Sequence, residues 1–286
     1  ESGGQLGDTG TIKCGDNNFN VTDVQKKFGD LFIHYGKIKK GKLNLNDSVE
    51  LSIDFERRKN IRAYHSATHL LHESLRRTLG KHVMQKGSLV APDRLRFDFS
   101  HMKPISESEL DNINKIVNEI IDNKSDVITR LMTPKEGMEH GALALFGEKY
   151  GDEVRVVFMG EEGNKYFSTE LCGGTHVRNT SEVGKFKVVS QSAIASGVRR
   201  VEALRDKQLE KYLNEKEKNL NVASQKDQDQ IDDLLDQIKM LGGKPNTSSS
   251  DKKTIIKELS KQLDILNIKN VLGDKTKNII KDENIN

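Results

Sequence analysis

Residues 61–79 constrain the fold most, because their apolar side chains recur at steps of three or four positions. This spacing places the side chains on one face of an α-helix. The positions that carry it are Tyr64, Ala67, Leu71, Leu75 and Leu79. Gly80 follows at once, and glycine commonly marks the end of a helix. The stretch therefore predicts an amphipathic helix that ends at Leu79 and packs on a core.

Alternating apolar and polar residues predict strands on both sides of this helix. Over residues 32–54, short apolar patches alternate with Gly and Asn-Asp turn signals, as in a small β-barrel or β-meander. Residues 95–100 place Leu95, Phe97 and Phe99 on one face of a half-buried strand. Valine content and alternation predict three further strands over 153–159, 165–171 and 184–190.

Two capping signatures predict further helices between these strands. Ser106 with Glu109 has the form of a capping box and precedes an apolar stripe of helical period. Thr133, Pro134 and Glu136 repeat the device, with proline at the first helical position. The second helix is expected to be short and to end near residue 145.

The fold class that follows is α+β, with three parts along the chain. Residues 1–60 are predicted to form the small β-barrel, and residues 61–205 an α+β core. Residues 206–286 are rich in Lys, Asn, Asp, Gln and Glu with helical periodicity, broken at Gly242, Gly243, Pro245 and residues 247–250. This last part is predicted to be a helical tail or the start of a C-terminal module.

Composition excludes several classes of protein. The chain has 286 residues, 31% of them charged, and no run of about eighteen apolar residues, which predicts a soluble protein without a membrane partner. Cys14 and Cys172 lie far apart, which argues against a disulfide scaffold and favours the cytoplasm. The formal net charge of +3 does not by itself indicate a nucleic-acid partner, and local Lys and Arg clusters could be phosphate contacts or a solvated surface. Without an initiator Met or apolar signal sequence, the chain is expected to be a segment of a longer protein.

Two pairs of side chains have the spacing of metal ligands. His65 and His69 lie four apart on the predicted helix, so both imidazoles can reach one ion. Such a pair alone is common on helices without a metal. Cys172 and His176 lie four apart in a glycine-rich turn after a predicted strand. Mixed nitrogen and sulfur ligands favour zinc over magnesium or calcium.

These two motifs resemble the paired metal motifs of the alanyl-tRNA synthetase editing domain and its freestanding relatives. Residues 1–8, 87–101 and 197–203 resemble further stretches of the same family, so the resemblance covers roughly residues 1–205. Threonyl-tRNA synthetases have a similar editing fold, but the Cys172-Gly-Gly-Thr-His176 form and the glycine-rich opening resemble the alanyl branch.

The resemblance implies zinc-dependent hydrolysis of the ester that joins serine or glycine to the 3′-terminal adenosine of tRNA for alanine. The implied zinc ligands are His65, His69, Cys172 and His176, or the first three with a water in the fourth position. The aminoacylation domain is expected upstream, so this chain is not expected to synthesise alanyl-tRNA. Whether it forms a homodimer through its C-terminal region is left open.

Further site residues are predicted by chemistry and by their place in the matched motifs. Recognition of a serine hydroxyl is assigned to Thr68, Gln85 and the backbone of Gly173 and Gly174. Gly3, Gly4 and Gln5 are predicted to form a flexible loop against the substrate end. Arg199 and Arg200 are predicted to hold tRNA phosphate or sugar, or to pair with carboxylates such as Glu202. His72 is expected to pack beside the site.

The two metal motifs also suggest three alternatives to a synthetase editing region. A zinc endopeptidase shares the His65-x-x-x-His69 spacing, but its helix requires Glu as general base where this chain has Ser66. A freestanding editing protein and a tRNA-binding module with purely structural zinc are both left open. The binding module would bind metal and tRNA without turnover.

Overall fold

The computed structural model describes residues 4–28, 31–143 and 151–283, with side chains described up to Gly273. The chain divides into two compact units, Glu1–Glu210 and Lys211–Asn286. Among the described residues, no helix combines the length and apolar character needed to cross a membrane.

The first unit begins with four antiparallel strands: β1 (Gly10–Cys14), β2 (Asn17–Lys27), β3 (Leu31–Lys40) and β4 (Glu50–Ile53). They form a sheet in the order β3-β2-β1-β4. Within the described residues this sheet is open, with β3 and β4 at its edges, so the predicted small barrel is not confirmed. Strands β1 to β3 pair in sequence, as in the β-meander alternative.

Helix α1 (Phe55–Leu79) is the predicted amphipathic helix, extended by six residues at its N-terminus. Asp54 caps it by accepting a hydrogen bond from the Arg57 backbone N–H, and Gly80 ends it as predicted. Apolar periodicity misses the first six residues because the helix enters the core only at Ile61, which is fully buried. The capping contact supports the exposed first turn instead.

The remaining elements of this unit follow in chain order: β5 (Gln85–Val90), β6 (Leu95–Ser100), α2 (Glu107–Asp122), β7 (Ile128–Met132), α3 (Pro134–Glu139), β8 (Val154–Glu162), β9 (Lys165–Leu171), β10 (Phe186–Ala195) and β11 (Val198–Arg205). They form two antiparallel sheets, of order β10-β11-β6-β5 and β7-β8-β9. The main core lies between these sheets and helices α1 and α2, where Leu71, Leu75, Phe97 and Phe99 are fully buried.

Both predicted capping boxes are present. Ser106 and Glu109 exchange hydrogen bonds at the start of α2, and Thr133 and Glu136 do so at the start of α3. Helix α3 ends at Glu139, earlier than expected, because the backbone turns at Gly141 with a φ of 80°. The end predicted near residue 145 falls within 144–150, outside the described residues.

The second unit contains most of a helical hairpin. Helices α4 (Asp206–Met240) and α5 (Lys252–Glu283) are separated by the predicted break, where Gly242 has a φ of 74°. Ile231, Leu234, Ile238 and Leu259 form their buried contact. The tail is helical as expected, and its second helix continues to Glu283.

Candidate metal centre

Four potential metal ligands converge from two elements that are distant in sequence. His65 and His69 project from α1, and Cys172 and His176 lie in the loop that follows β9. One ligand atom from each lies within 4.8 Å of all the others. Cys172 Sγ and His65 Nε2 are 3.4 Å apart. Two ligands of one tetrahedral zinc ion lie about 3.3–3.7 Å apart, given metal–ligand bonds of roughly 2.0–2.3 Å.

The free nitrogen atoms of this cluster are buried. His65, His69, Cys172 and His176 are each at most 9% exposed. The Nε2 atoms of His69 and His176 have no hydrogen-bond partner among the described residues. Buried polar nitrogens rarely lack a partner, because desolvation without a hydrogen bond costs free energy. A metal ion bound by Nε2 would satisfy both atoms, so the residues fit the role predicted for them.

A buried carboxylate orients His69. Glu170 lies on β9 and accepts from His69 Nδ1 at 2.7 Å and from His72 Nδ1 at 3.0 Å. Because an ionised carboxylate only accepts, the Nδ1 atom of each histidine carries the hydrogen. In the neutral form of His69 the Nε2 atom therefore has the lone pair that binds a metal.

The sequence interpretation missed Glu170, although one signal was available. Glu170 precedes Cys172 by two positions at the end of a strand, and residues two apart in a strand share a face. His72 lies beside the site as expected, but it also shares Glu170 with His69.

An amide oxygen orients His65. Gln5 Oε1 lies 2.7 Å from His65 Nδ1 and accepts from the Thr175 backbone N–H at 3.0 Å. A backbone N–H can only donate, which identifies the Gln5 atom as the oxygen rather than the amide nitrogen. His65 Nδ1 must then donate as well, which leaves Nε2 free beside Cys172 Sγ.

Ser66 supports the third imidazole. Its hydroxyl oxygen lies 3.3 Å from His176 Nδ1 and accepts from the Val177 backbone N–H at 3.2 Å. The position that carries a catalytic Glu in zinc endopeptidases thus holds a serine that joins α1 to the ligand loop. This use of Ser66 agrees with the argument against a peptidase.

The cluster favours the ionised thiol. Burial alone raises the pKa of Cys172, but the neighbouring imidazoles of His69, His176 and His65 lower that pKa to about 2. Burial lowers the pKa of His176 to about 3. Burial opposes a charge on Glu170 too, yet His69 and His72 hold its pKa well below the usual range. Burial lowers the pKa of His69, but Glu170 and Cys172 raise that pKa to about 10, so the thiolate pairs with a His69 imidazolium. A metal coordinates a thiolate and neutral imidazoles, so its binding would displace the His69 proton.

Comparison with known proteins places this centre in a family. The family described as "Threonyl and Alanyl tRNA synthetase second additional domain" matches residues 154–202, which contain Cys172 and His176. The family described as "tRNA synthetases class II (A)" matches residues 1–57. An alanine–tRNA ligase of Chelativorans sp. (strain BNC1) is 52% identical over 246 residues, covering 84% of this chain. The chain belongs to the alanyl-tRNA synthetase family.

Other ligases of the family give similar values. Alanine–tRNA ligases of Mesorhizobium japonicum and Parvibaculum lavamentivorans are 53% and 55% identical, covering 78% and 74% of this chain. The chain spans about a quarter of the length of these relatives, between 24% and 28%. His65 and His69 lie outside both matched ranges. The fold brings them close to Cys172 and His176.

In this synthetase-family chain the two glycines of the ligand loop already have partners. The Gly174 backbone N–H donates to Cys172 Sγ at 3.4 Å, and the Gly173 carbonyl accepts from Arg155 Nη1 at 3.4 Å. The Gly174 N–H therefore supports the thiolate, and recognition of a substrate hydroxyl by the Gly174 carbonyl stays a prediction. Recognition by the Gly173 N–H stays a prediction.

Replacing Gly174 with alanine is expected to weaken zinc binding at least about tenfold. A Cβ at this position would lie 2.0 Å from His65 Cε1, so the imidazole ring would have to move away from Cys172. Zinc affinity would be measured by competition with a chromophoric chelator. Gly151→Ala is the control, since none of the described residues lies within 4 Å of its Cβ position. Equal zinc affinity in both variants would contradict the assignment of His65.

The remaining predicted site residues lie in different surroundings. Thr68 is buried and its hydroxyl donates to the Tyr64 carbonyl at 2.9 Å, so only its lone pairs remain available. Gln85 begins β5 and is half-buried opposite Phe99. The predicted contact of Thr68 and Gln85 with a serine hydroxyl stays a prediction. Gly3 lies outside the described residues.

The two arginines of β11 differ in their partners. Arg200 makes a two-pronged contact with Asp98, with Nε–Oδ1 and Nη2–Oδ2 distances of 2.7 and 2.8 Å. Arg200 therefore takes the predicted carboxylate alternative, although with Asp98 rather than Glu202. Arg199 donates to Gln191 Oε1 at 3.0 Å. A tRNA contact for either residue stays a prediction.

Gly4 and Gln5 do not form the predicted free loop. Gly4 O accepts from Val90 N at 2.9 Å, and Leu6 N donates to Val90 O at 3.1 Å. These bonds fasten the segment to the edge of β5, because backbone groups of an edge strand are available for pairing. Gln5 is 5% exposed and holds His65 from this position.

Proposed function

We propose that this chain hydrolyses the ester joining serine or glycine to the 3′-terminal adenosine of tRNA for alanine. Zinc held by His65, His69, Cys172 and His176 would be its cofactor. The observation that carries the proposal is the convergence of these four side chains in a chain of the alanyl-tRNA synthetase family. The match to the threonyl and alanyl second additional domain supports the same function.

The donor set supports zinc in particular. Three imidazole nitrogens and one thiolate suit zinc, whereas magnesium and calcium prefer oxygen ligands. The Nδ1 atoms of His65, His69 and His176 contact Gln5, Glu170 and Ser66, so each imidazole has a defined orientation. When bound, zinc would polarise the ester carbonyl, activate a water or orient the substrate.

The anchors of the three histidines differ in strength, which bears on the number of ligands. His65 and His69 are held by contacts of 2.7 Å, the latter to a carboxylate. Among the residues that the structure describes, the partner of His176 Nδ1 is the neutral hydroxyl of Ser66 at 3.3 Å. Hydrogen bonds to charged groups are stronger than neutral ones. If one coordination position of the zinc opens for water or substrate, we expect His176 to leave it, because its Nδ1 atom has the weakest hydrogen-bond partner of the three histidines. His65, His69 and Cys172 would then remain as ligands.

A synthetase needs a second, hydrolytic site because the pocket that selects the amino acid for attachment cannot strongly reject a similar amino acid by size alone. We assign recognition of the serine hydroxyl to Thr68, Gln85 and the backbone of Gly173 and Gly174. Gly3, Gly4, Arg199 and Arg200 are candidates for contact with the tRNA end. The Thr68 hydroxyl would accept from serine rather than donate, since its hydrogen is directed to Tyr64.

Deacylation of charged tRNA tests the proposal directly. The chain would be loaded with zinc or treated with a chelator and mixed with tRNA for alanine that carries either serine or alanine. We expect loss of serine at least about 100-fold faster than loss of alanine, and only in the zinc-loaded protein. Equal rates for both esters, or a rate independent of zinc, would reject the proposed reaction.

A tRNA-binding module with structural zinc is the second candidate. The observation that favours it is that four protein ligands, rather than three, lie within reach of one metal, since structural zinc sites are closed. This candidate predicts stoichiometric zinc and tRNA binding with no turnover of serine-charged tRNA. The relatives reported above are all ligases, which supports an editing region over a freestanding protein.

A further inference from the structure

We propose that docking of residues 4–6 on β5 and metal binding at the four-residue centre stabilise each other, with Gln5 as the positioning residue that joins them. The inference rests on the proposed zinc centre. It assigns this N-terminal segment a role in assembling the metal site, in place of a free loop against the substrate. Three features of the structure carry it.

The first feature is the close docking of the segment. Gln5 and Val90 form a parallel bridge, flanked by the two backbone hydrogen bonds of Val90. Gly4 has a φ of 76°, and a Cβ there would lie 2.2 Å from the Ser88 carbonyl oxygen. Only glycine combines this backbone conformation with so close an approach. Docking is therefore sensitive to Gly4, which is not itself part of the metal centre.

The second feature is that one oxygen contacts both halves of the centre. Gln5 Oε1 meets His65 on α1, and it accepts from the backbone N–H and the hydroxyl of Thr175 at 3.0 and 3.1 Å. Thr175 lies between Cys172 and His176. Gln5 therefore joins the helical ligand pair to the loop ligand pair, and it is the N-terminal segment that supplies the connection.

The third feature is an unpaired atom. Gln5 Nε2 is buried and has no hydrogen-bond partner among the described residues. A buried amide N–H without a partner costs free energy, so the contacts of Oε1 must hold the side chain in place. The role of the Gln5 side chain is therefore carried by its oxygen, which orients His65 and Thr175.

The linkage follows from these contacts. A neutral imidazole can carry its hydrogen on either nitrogen, and only the form with hydrogen on Nδ1 presents Nε2 to a metal. The docked Gln5 oxygen selects that form in His65. A metal that binds the docked state more tightly must favour docking by the same factor, because coupling between two binding events is reciprocal.

Zinc affinity of four variants tests the coupling, measured on the full chain by competition with a chromophoric chelator. Gln5→Met keeps the approximate volume and removes the acceptor, whereas Gln5→Glu retains an acceptor oxygen. Gly4→Ala disturbs docking without touching a ligand. Gly15→Ala is the matched control, since Gly15 also has positive φ, 54°, but no atom of the described part of the chain lies within 4 Å of its Cβ position.

We expect Gln5→Met and Gly4→Ala to weaken zinc binding by about 10–100-fold, the usual effect of removing a partner of a ligand. Gln5→Glu and Gly15→Ala should stay within about threefold of the unsubstituted chain. Hydrogen exchange gives an independent readout. The Leu6 and Val90 amides donate the two hydrogen bonds that dock the segment on β5. Zinc should slow hydrogen exchange at both amides in the unsubstituted chain but not in Gln5→Met.

The outcomes separate this inference from the proposed function. Unchanged zinc affinity in Gln5→Met, with zinc still bound, overturns the linkage and leaves the zinc centre intact. Failure of the unsubstituted chain to bind zinc overturns both. Exchange at the β6 and β11 amides reports whether Gly4→Ala retains its fold. If it does not, Gln5→Met, which leaves the backbone unchanged, decides the question.

Discussion

Replacing Cys172 with alanine is expected to remove zinc from the chain and to abolish hydrolysis of serine-charged tRNA. The thiolate is the single negatively charged ligand in the cluster, and three imidazoles surround it. Zinc sites with four protein ligands bind with roughly 10–16 kcal/mol, so an equal share for one ligand is about 3 kcal/mol. That corresponds to roughly 100-fold weaker binding or more.

Two measurements check this expectation. After dialysis against a chelator that leaves about one zinc ion on the unsubstituted chain, zinc content of the variant would fall to near zero, and the deacylation rate would fall with it. Cys14→Ala is the matched control, because Cys14 lies on β1 outside the four-residue cluster. A Cys172→Ala protein that keeps its zinc and its full rate would show that the metal and the chemistry reside elsewhere.

Replacing Glu170 with glutamine is expected to weaken zinc binding by about 10–100-fold while the protein remains folded. The carboxylate accepts from both His69 and His72, but the amide has only one acceptor oxygen. If the amide nitrogen faces His69, that imidazole must accept at Nδ1 and carry its hydrogen on Nε2. The Nε2 atom can then no longer bind the metal.

His72→Phe separates this effect from a general disturbance of the core. It removes one of the two imidazole partners of Glu170 and leaves the 2.7 Å contact with His69 in place. We expect it to change zinc affinity by less than about threefold. The cobalt-substituted proteins offer a second readout, because the absorption spectrum reports ligand geometry. Equal zinc affinity in Glu170→Gln and the unsubstituted chain would mean that Glu170 does not orient His69.

Local features of the chain could be predicted because their causes lie within a few residues. The capping boxes at Ser106 and Thr133 join residues three apart, and each formed as expected. Gly80 ended α1 at the predicted position. The start of α1 was missed because its first turn is stabilised by Asp54 rather than by burial of an apolar face.

Long-range closure of the first sheet could not be predicted in the same way. An alternating pattern identifies strands, but it does not determine whether the two edge strands of the sheet pair with each other. β1 pairs with both β2 and β4, and β3 and β4 remain unpaired with each other at the edges among the described residues. The barrel prediction assumed that the edge strands pair, which the local sequence pattern does not specify.

The sequence by itself determined the donor chemistry of the candidate site, because the His65–His69 and Cys172–His176 spacings are set by one helical turn and one short loop. The family resemblance supplied the reason to join the two pairs. Only the tertiary structure decided which atoms hold them, since Gln5 meets His65 across 60 positions and Glu170 meets His69 across 101. No local pattern specifies such contacts, because they arise when α1, β9 and the segment on β5 pack together and each buried polar atom must find a partner.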